Sequence, residues 1–199
     1  MIINILGPII GYLIGSILPG YFFGKIKGLD IRKVGDHYAG TMNVYRQLGL
    51  LQAIPTAIFD TLKGVFVIML TQKLGASFVI SQVSGLLAIA GHVLPFYIGF
   101  RGGQGVACAV GIMLFYLWKY FFAGGISLYS LTFIGIIVLI LWYVVKAGSV
   151  LGLIILPLFT YSLIANVPRF PYNPFFVVII AYILGVNICL LYTSPSPRD

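Results

Sequence analysis

Between residues 91 and 107 the chain reads Gly-His-Val-Leu-Pro-Phe-Tyr-Ile-Gly-Phe-Arg-Gly-Gly-Gln-Gly-Val-Ala, an arginine and a glycine run between two long apolar stretches. Gly102, Gly103 and Gly105 are predicted to leave backbone N–H groups open, with Arg101 at the rim and a helix beginning at Val106. Open amides, the positive end of a helix dipole and a guanidinium make an anion site. A second group of polar residues is the segment 25–50, with Asp30, Arg32, Asp36, His37, Asn43 and Arg46. A third is Asp60-Thr-Leu-Lys63-Gly64, whose spacing places Asp60 and Lys63 on one helical face, where they can pair. Ions inside a membrane usually face the protein interior and mark function, although a structural ion pair reads equally well here. His92 alone reads as a hydrogen-bonded structural residue.

The elements that must position these groups are membrane helices. The chain is 60% hydrophobic and 8% charged, with a mean hydropathy of +1.07. A soluble domain of this length needs far more surface charge. Windows of roughly 20 mostly apolar residues pick out about seven spans. They are 2–24, 51–72, 78–96, 106–122, 125–145, 149–165 and 174–192. Pro95 is expected to distort the inner end of the third. The first segment lacks a basic start and a small-residue cleavage site, so it is read as a permanent span. The predicted fold class is therefore all-α, a polytopic membrane helical bundle forming one domain over residues 1–188.

Charge sets the expected orientation. Lys25, Lys27, Arg32, Lys33 and Arg46 lie between the first two spans, and Arg101 and Lys146 fall on the same side. Lys73, Lys119 and Arg169 fall on the other. The positive-inside rule makes the first loop cytoplasmic and puts the N-terminus outside. The net charge of +8 suits anionic headgroups or phosphorylated substrates. Nucleic acid is not an expected partner, because no extended basic surface exists beyond these loops. The loop 25–50 is too apolar for a disordered linker, and Leu29, Ile31, Val34, Tyr38, Val44, Tyr45 and Leu48 are expected to fold it against the bundle. Gly11 and Gly15 read as close helix packing. Cys108 and Cys189 lack metal-ligand spacing, and with four acidic residues in all a metal cluster is not expected. Neither Gly-Xaa-Ser-Xaa-Gly nor His followed by four residues and Asp occurs.

Taken in order, the three polar regions resemble one family, the acyl-phosphate:glycerol-3-phosphate acyltransferases of bacterial inner membranes. The resemblance runs through Gly15-Ser16 and Pro19-Gly20, Asp30-Ile31-Arg32, then Gly35, Gly40, Asn43, Arg46 and Leu48-Gly49. It continues with Asp60, Lys63 and Gly64, and then with Gly91, His92, Pro95, Phe100, Gly102, Gly103, Gly105, Val106 and Ala107. It covers residues 11–111 in order and spacing. Where the family has Ser-Gly-Asn this chain has Asp36-His37-Tyr38, where the family has Lys it has Gln104, and Met42 replaces a Thr. By charge, Asp36 and Gln104 both weaken a phosphate site.

The resemblance implies fatty acyl transfer from acyl phosphate to the 1-hydroxyl of glycerol 3-phosphate, giving lysophosphatidic acid for phospholipid biosynthesis. It implies a site facing the cytoplasm, no metal or nucleotide cofactor, and no dedicated side-chain base. The substrate-binding residues it implies are Asp30, Arg32, Asn43, Arg46, Lys63, His92, Arg101, Gly102, Gly103, Gln104 and Gly105. Two other readings stand beside it: a catalytically impaired homologue that binds a phosphorylated lipid or partner, and a small-molecule transporter. For the latter, no inverted repeat is seen. The segment Leu191–Asp199 resembles translated adapter sequence, so residues 189–199 are read as a non-native tail, with Asn187-Ile188 as the remnant of a further family motif.

The orientation is checked by labelling. Single cysteines placed in the 25–50 and 99–105 loops are expected to resist a membrane-impermeant maleimide added outside cells and to react after lysis. Labelling of both loops in intact cells contradicts this topology.

Overall fold

The computed structural model describes residues 2–122, of which those up to Leu114 belong to one compact unit. The expected spans from residue 125 onward and the 189–199 tail lie outside the described residues. Six α-helices follow one another: α1 (Ile3–Ser16), α2 (Pro19–Ile26), α3 (Thr41–Leu48), α4 (Leu50–Lys73), α5 (Phe78–Val93) and α6 (Val106–Phe122), with short 3-10 turns at Ile31–Lys33 and Phe96–Ile98. Three stretches, Ile3–Ile26, Leu50–Lys73 and Phe78–Ile98, are long and apolar enough to cross a membrane.

The burial pattern is that of a membrane protein. In α4 the buried residues Ala53, Thr56, Asp60, Lys63, Gly64, Val67, Ile68 and Thr71 recur at helical spacing. The large residues Ile54, Ile58, Phe59, Leu62, Phe66 and Met69 point outward. A soluble helix would do the opposite; lipid rewards an apolar outside and a polar seam inside. Hydroxyls on that seam are satisfied locally: Thr56 Oγ1 donates to the Gln52 carbonyl at 2.7 Å and Thr71 Oγ1 to that of Val67 at 2.8 Å.

α1 and α5 pack along a stripe of small residues. A β-carbon at Gly11 would fall onto the backbone of Ser84, and one at Gly15 onto that of Ala88. The packing expected for these glycines is what the structure has. The helices approach at backbone contact because nothing larger intervenes.

The first expected span is not one continuous helix. It breaks at Ile17–Leu18, where both residues are extended, and resumes at Pro19. Pro19 carries the signal in the sequence: its ring disfavours helical geometry at Leu18 and it has no N–H to donate. A hydropathy window averages over such a break. Pro95 acts as expected, since α5 stops at Val93 and the chain turns through Phe96–Ile98.

The 25–50 segment folds back as predicted. Leu18, Ile31, Ala39, Val44 and Ala53 form a buried cluster, with Val34, Leu48 and Ile98 packed against it. Tyr45 is the exception and stays exposed.

The α1–α5 contact gives a stability test. Gly15→Ala forces a methyl against backbone that cannot rotate away, so overpacking of roughly 1–3 kcal/mol or more is expected. Thermal unfolding in detergent reads it; unchanged stability would mean the helices have slack at this crossing.

Candidate functional site

The break at Ile17–Leu18 frees carbonyls, and two side chains take them. Tyr97 Oη donates to the Ser16 carbonyl at 2.8 Å. Lys63 Nζ donates to the Ile17 carbonyl at 3.1 Å. The same ammonium donates to Asp60 Oδ1 at 2.9 Å and lies 2.6 Å from His92 Nδ1. An ammonium has three protons, and here three polar atoms surround it. The Lys63 and Asp60 side chains are 0% and 1% exposed. The expected pairing of these residues on one face is therefore present, and it is wholly buried.

His92 Nδ1 also lies 3.4 Å from Asp60 Oδ1, and the other ring nitrogen, Nε2, faces the glycine loop. That nitrogen lies directly against Gly103, where a β-carbon would overlap it. The Gly103 N–H donates to the His92 carbonyl at 3.0 Å and the Gly102 N–H to the Val93 carbonyl at 3.0 Å. The expectation that both amides lie open is corrected here: they tie the glycine loop to the end of α5. The physical reason is that α5 stops at Val93, just before Pro95, which leaves its last carbonyls without helical partners. Gly105 has φ +73°, a conformation that glycine adopts at little cost. Helix α6 then begins at Val106, as the sequence predicts. Gln104 is half-buried, and Arg101 is exposed at the rim.

The 25–50 loop is built around two polar residues. Asp30 accepts from the backbone N–H of Arg32 at 3.2 Å, from its Nε at 3.0 Å and from its Nη2 at 2.9 Å. This fork holds the Asp30 carboxyl below the usual carboxylate range and raises the Arg32 guanidinium further. Arg32 Nη1 also reaches the carbonyls of Ile98 at 2.6 Å and Arg101 at 3.2 Å, and the guanidinium lies 4.8 Å from the Tyr21 ring centre. Arg32 thus fastens this loop to the loop that carries the glycines. The Ala39 N–H adds a bond to the Gly102 carbonyl at 3.2 Å.

Asn43 is fully buried and organises the other half. Its Nδ2 donates to the carbonyls of Ile31, Val34 and Tyr38 at 2.8, 3.0 and 2.9 Å. Its Oδ1 accepts from the Asp36 N–H at 3.1 Å. Arg46, one helical turn on, donates through Nη1 to both Asp36 oxygens. His37 has φ +60°. That left-handed backbone accounts for a glycine in the family pattern at this position. Tyr38 is half-buried, and burial together with the nearby Asp36 carboxylate raises its phenol.

The proposed ligand residues therefore fall into two kinds. Asp30, Arg32, Asn43, Lys63 and His92 are engaged with protein partners that shape the two loops. Arg46 and Arg101 are exposed cations on those loops. The sequence reading does not name Tyr97 or the Ile17 carbonyl, and Pro19 is the signal that points to both.

The profile of the family described as "Glycerol-3-phosphate acyltransferase" matches residues 5–194. The chain belongs to the glycerol-3-phosphate acyltransferase family. It is 34% identical over 183 residues to "Glycerol-3-phosphate acyltransferase" of Geobacter sulfurreducens, a match covering 89% of this chain and 86% of that protein. It also resembles the crystal structure of PlsY (YgiH), an integral membrane glycerol 3-phosphate acyltransferase, in its glycerol 3-phosphate form. That likeness has a TM-score of 0.67 at 26% identity, covering 96% of this chain and 92% of that one. The lysophosphatidic acid form of the same protein gives a TM-score of 0.65 at the same identity and coverage. The chain is thus an integral membrane protein of an acyltransferase family.

The buried ammonium gives a direct test. Lys63→Met leaves Asp60 buried without its counter-charge, and breaking one side of a buried pair costs about 3–5 kcal/mol. We expect a large fall in unfolding temperature, partly recovered by adding Asp60→Asn. A Lys63→Met protein as stable as the parent would show that water or another cation reaches Asp60.

Proposed function

We propose that this chain transfers a fatty acyl group from acyl phosphate to the 1-hydroxyl of glycerol 3-phosphate, releasing inorganic phosphate and 1-acylglycerol 3-phosphate. Family membership over nearly the whole chain supports acyl transfer over the transport reading. The observation that carries the site assignment is the docking of the two loops by Arg32, whose Nη1 bonds the Ile98 and Arg101 carbonyls. This brings the Arg46 loop and the glycine loop to one end of the bundle.

The chemistry needs little from side chains. Acyl phosphate is a mixed anhydride. The glycerol 3-phosphate oxygen attacks the acyl carbon, the bond from that carbon to the phosphate oxygen breaks, and phosphate leaves with the electron pair. A substrate phosphate oxygen accepts the hydroxyl proton. What the protein contributes is orientation and positive charge where two phosphates approach each other. We assign that charge to Arg46 and Arg101, with Gln104 and Gly105 lining the loop between them and α6. The acyl chain would lie along the apolar outer helix faces, and the phosphates at the cytoplasmic boundary of the bacterial inner membrane. This reading keeps seven spans, an external N-terminus and no resident cofactor.

The test is acyl transfer by purified protein from acyl phosphate to radiolabelled glycerol 3-phosphate. Arg46→Ala is expected to raise the KM for glycerol 3-phosphate about tenfold or more, the scale of a charge-assisted hydrogen bond. Arg101→Ala is expected to do less, because the family pattern accepts Lys there. Normal kinetics in both variants would remove these arginines from the site.

A further inference from the structure

We propose that Asp36 is a built-in competitor for Arg46, so that glycerol 3-phosphate binds by displacing a carboxylate of the chain itself. This rests on the reading of Arg46 as a phosphate-binding residue. Arg46 Nη1 lies 2.8 Å from Asp36 Oδ1 and 2.7 Å from Oδ2. A carboxylate there offers the guanidinium the charge and acceptor oxygens that a phosphate would offer. The Nη1 protons cannot serve both anions fully, and the carboxylate offsets the charge that Nε and Nη2 would present to a phosphate.

The surrounding frame makes this contact a fixture of the loop. Asp36 lies between two left-handed residues, Gly35 at φ +59° and His37 at φ +60°. Its own N–H is held by the buried Asn43, which also bonds three carbonyls of the loop. Asn43 and Arg46 are three residues apart on α3, so they share a face. The backbone of Asp36 is thereby held in place, with its carboxylate on Arg46. Tyr38 Oη, 3.5 Å from Oδ2, is its other close polar neighbour.

The contact is also open to exchange. The side chains of Arg46 and Asp36 are 54% and 28% exposed. An ion pair this exposed is screened and weak, which places the effect well below that of a buried pair. Asp36 therefore tunes the affinity for a phosphorylated substrate without closing the site. A weaker affinity moves half-saturation to a higher concentration of glycerol 3-phosphate.

The test uses the full chain in detergent, with glycerol 3-phosphate binding measured by calorimetry beside acyl transfer from acyl phosphate. Asp36→Asn keeps the residue's size and its N–H to Asn43, and Asp36→Ser serves as a second variant. Each is expected to lower the Kd and KM for glycerol 3-phosphate by about two- to fivefold, with little change in kcat. In an Arg46→Gln background, Asp36→Asn is expected to improve neither binding nor KM. An unchanged or higher Kd in both Asp36 variants overturns the proposal, and a higher one would make Asp36 a substrate contact. An equal gain with and without Arg46 also overturns it, because Asp36 would then act only through space. Parent turnover with either result leaves the acyltransferase reading standing, whereas no binding and no turnover in any variant removes that reading and this one together.

Discussion

The junction of α1, α2, α4 and α5 depends on one buried charge, the Lys63 ammonium. An ammonium in a low-dielectric interior is expensive, and more so within a membrane helix, unless every proton has an acceptor. Its three polar partners come from three different segments: Asp60 from α4, His92 from α5, and the Ile17 carbonyl from the break between α1 and α2. A continuous first helix would have used the Ile17 carbonyl itself. The break, the ion pair and the histidine therefore require one another. The consequence for the site is indirect but definite. His92 is fixed at Nδ1 by Lys63, and its opposite face supports Gly103, so the glycine loop inherits its position from a charge that meets no solvent.

Arg32 does for the outer loops what Lys63 does for the helices. Its guanidinium spans Asp30, two carbonyls of the neighbouring loop and the face of Tyr21, and so converts two sequence-distant loops into one surface. Asn43 plays a matching part for the 31–38 segment with an uncharged side chain. Two of the exposed cations, Arg46 and Arg101, then stand on backbone that is held from within. This division suits transfer from an acyl phosphate, where reactants carry their own leaving group and need orientation and charge more than a nucleophile.

Much of this was legible in the sequence. The i, i+3 spacing of Asp60 and Lys63, the small residues Gly11 and Gly15, the apolar residues of the 25–50 loop and the helix start at Val106 all follow from local pattern. Three things were not. The break at Ile17–Leu18 is hidden by hydropathy averaging, although Pro19 marks it. The closed amides of Gly102 and Gly103 depend on where α5 stops relative to the loop, a tertiary fact that glycine spacing does not encode. The role of Arg32 depends on a partner loop more than sixty residues away, and only the fold brings the Ile98 and Arg101 carbonyls to it. Asp36 was legible as a charge in an odd place, and its contact with Arg46 came from the fold.

The most direct measurement is a structure of the full chain with glycerol 3-phosphate bound. The account predicts the phosphate within hydrogen-bond distance of Arg46, beside the 99–105 loop, with the contacts of Lys63 with Asp60, His92 and the Ile17 carbonyl unchanged. A phosphate bound away from both loops, or a Lys63 ammonium that leaves those partners to take the phosphate itself, would contradict it.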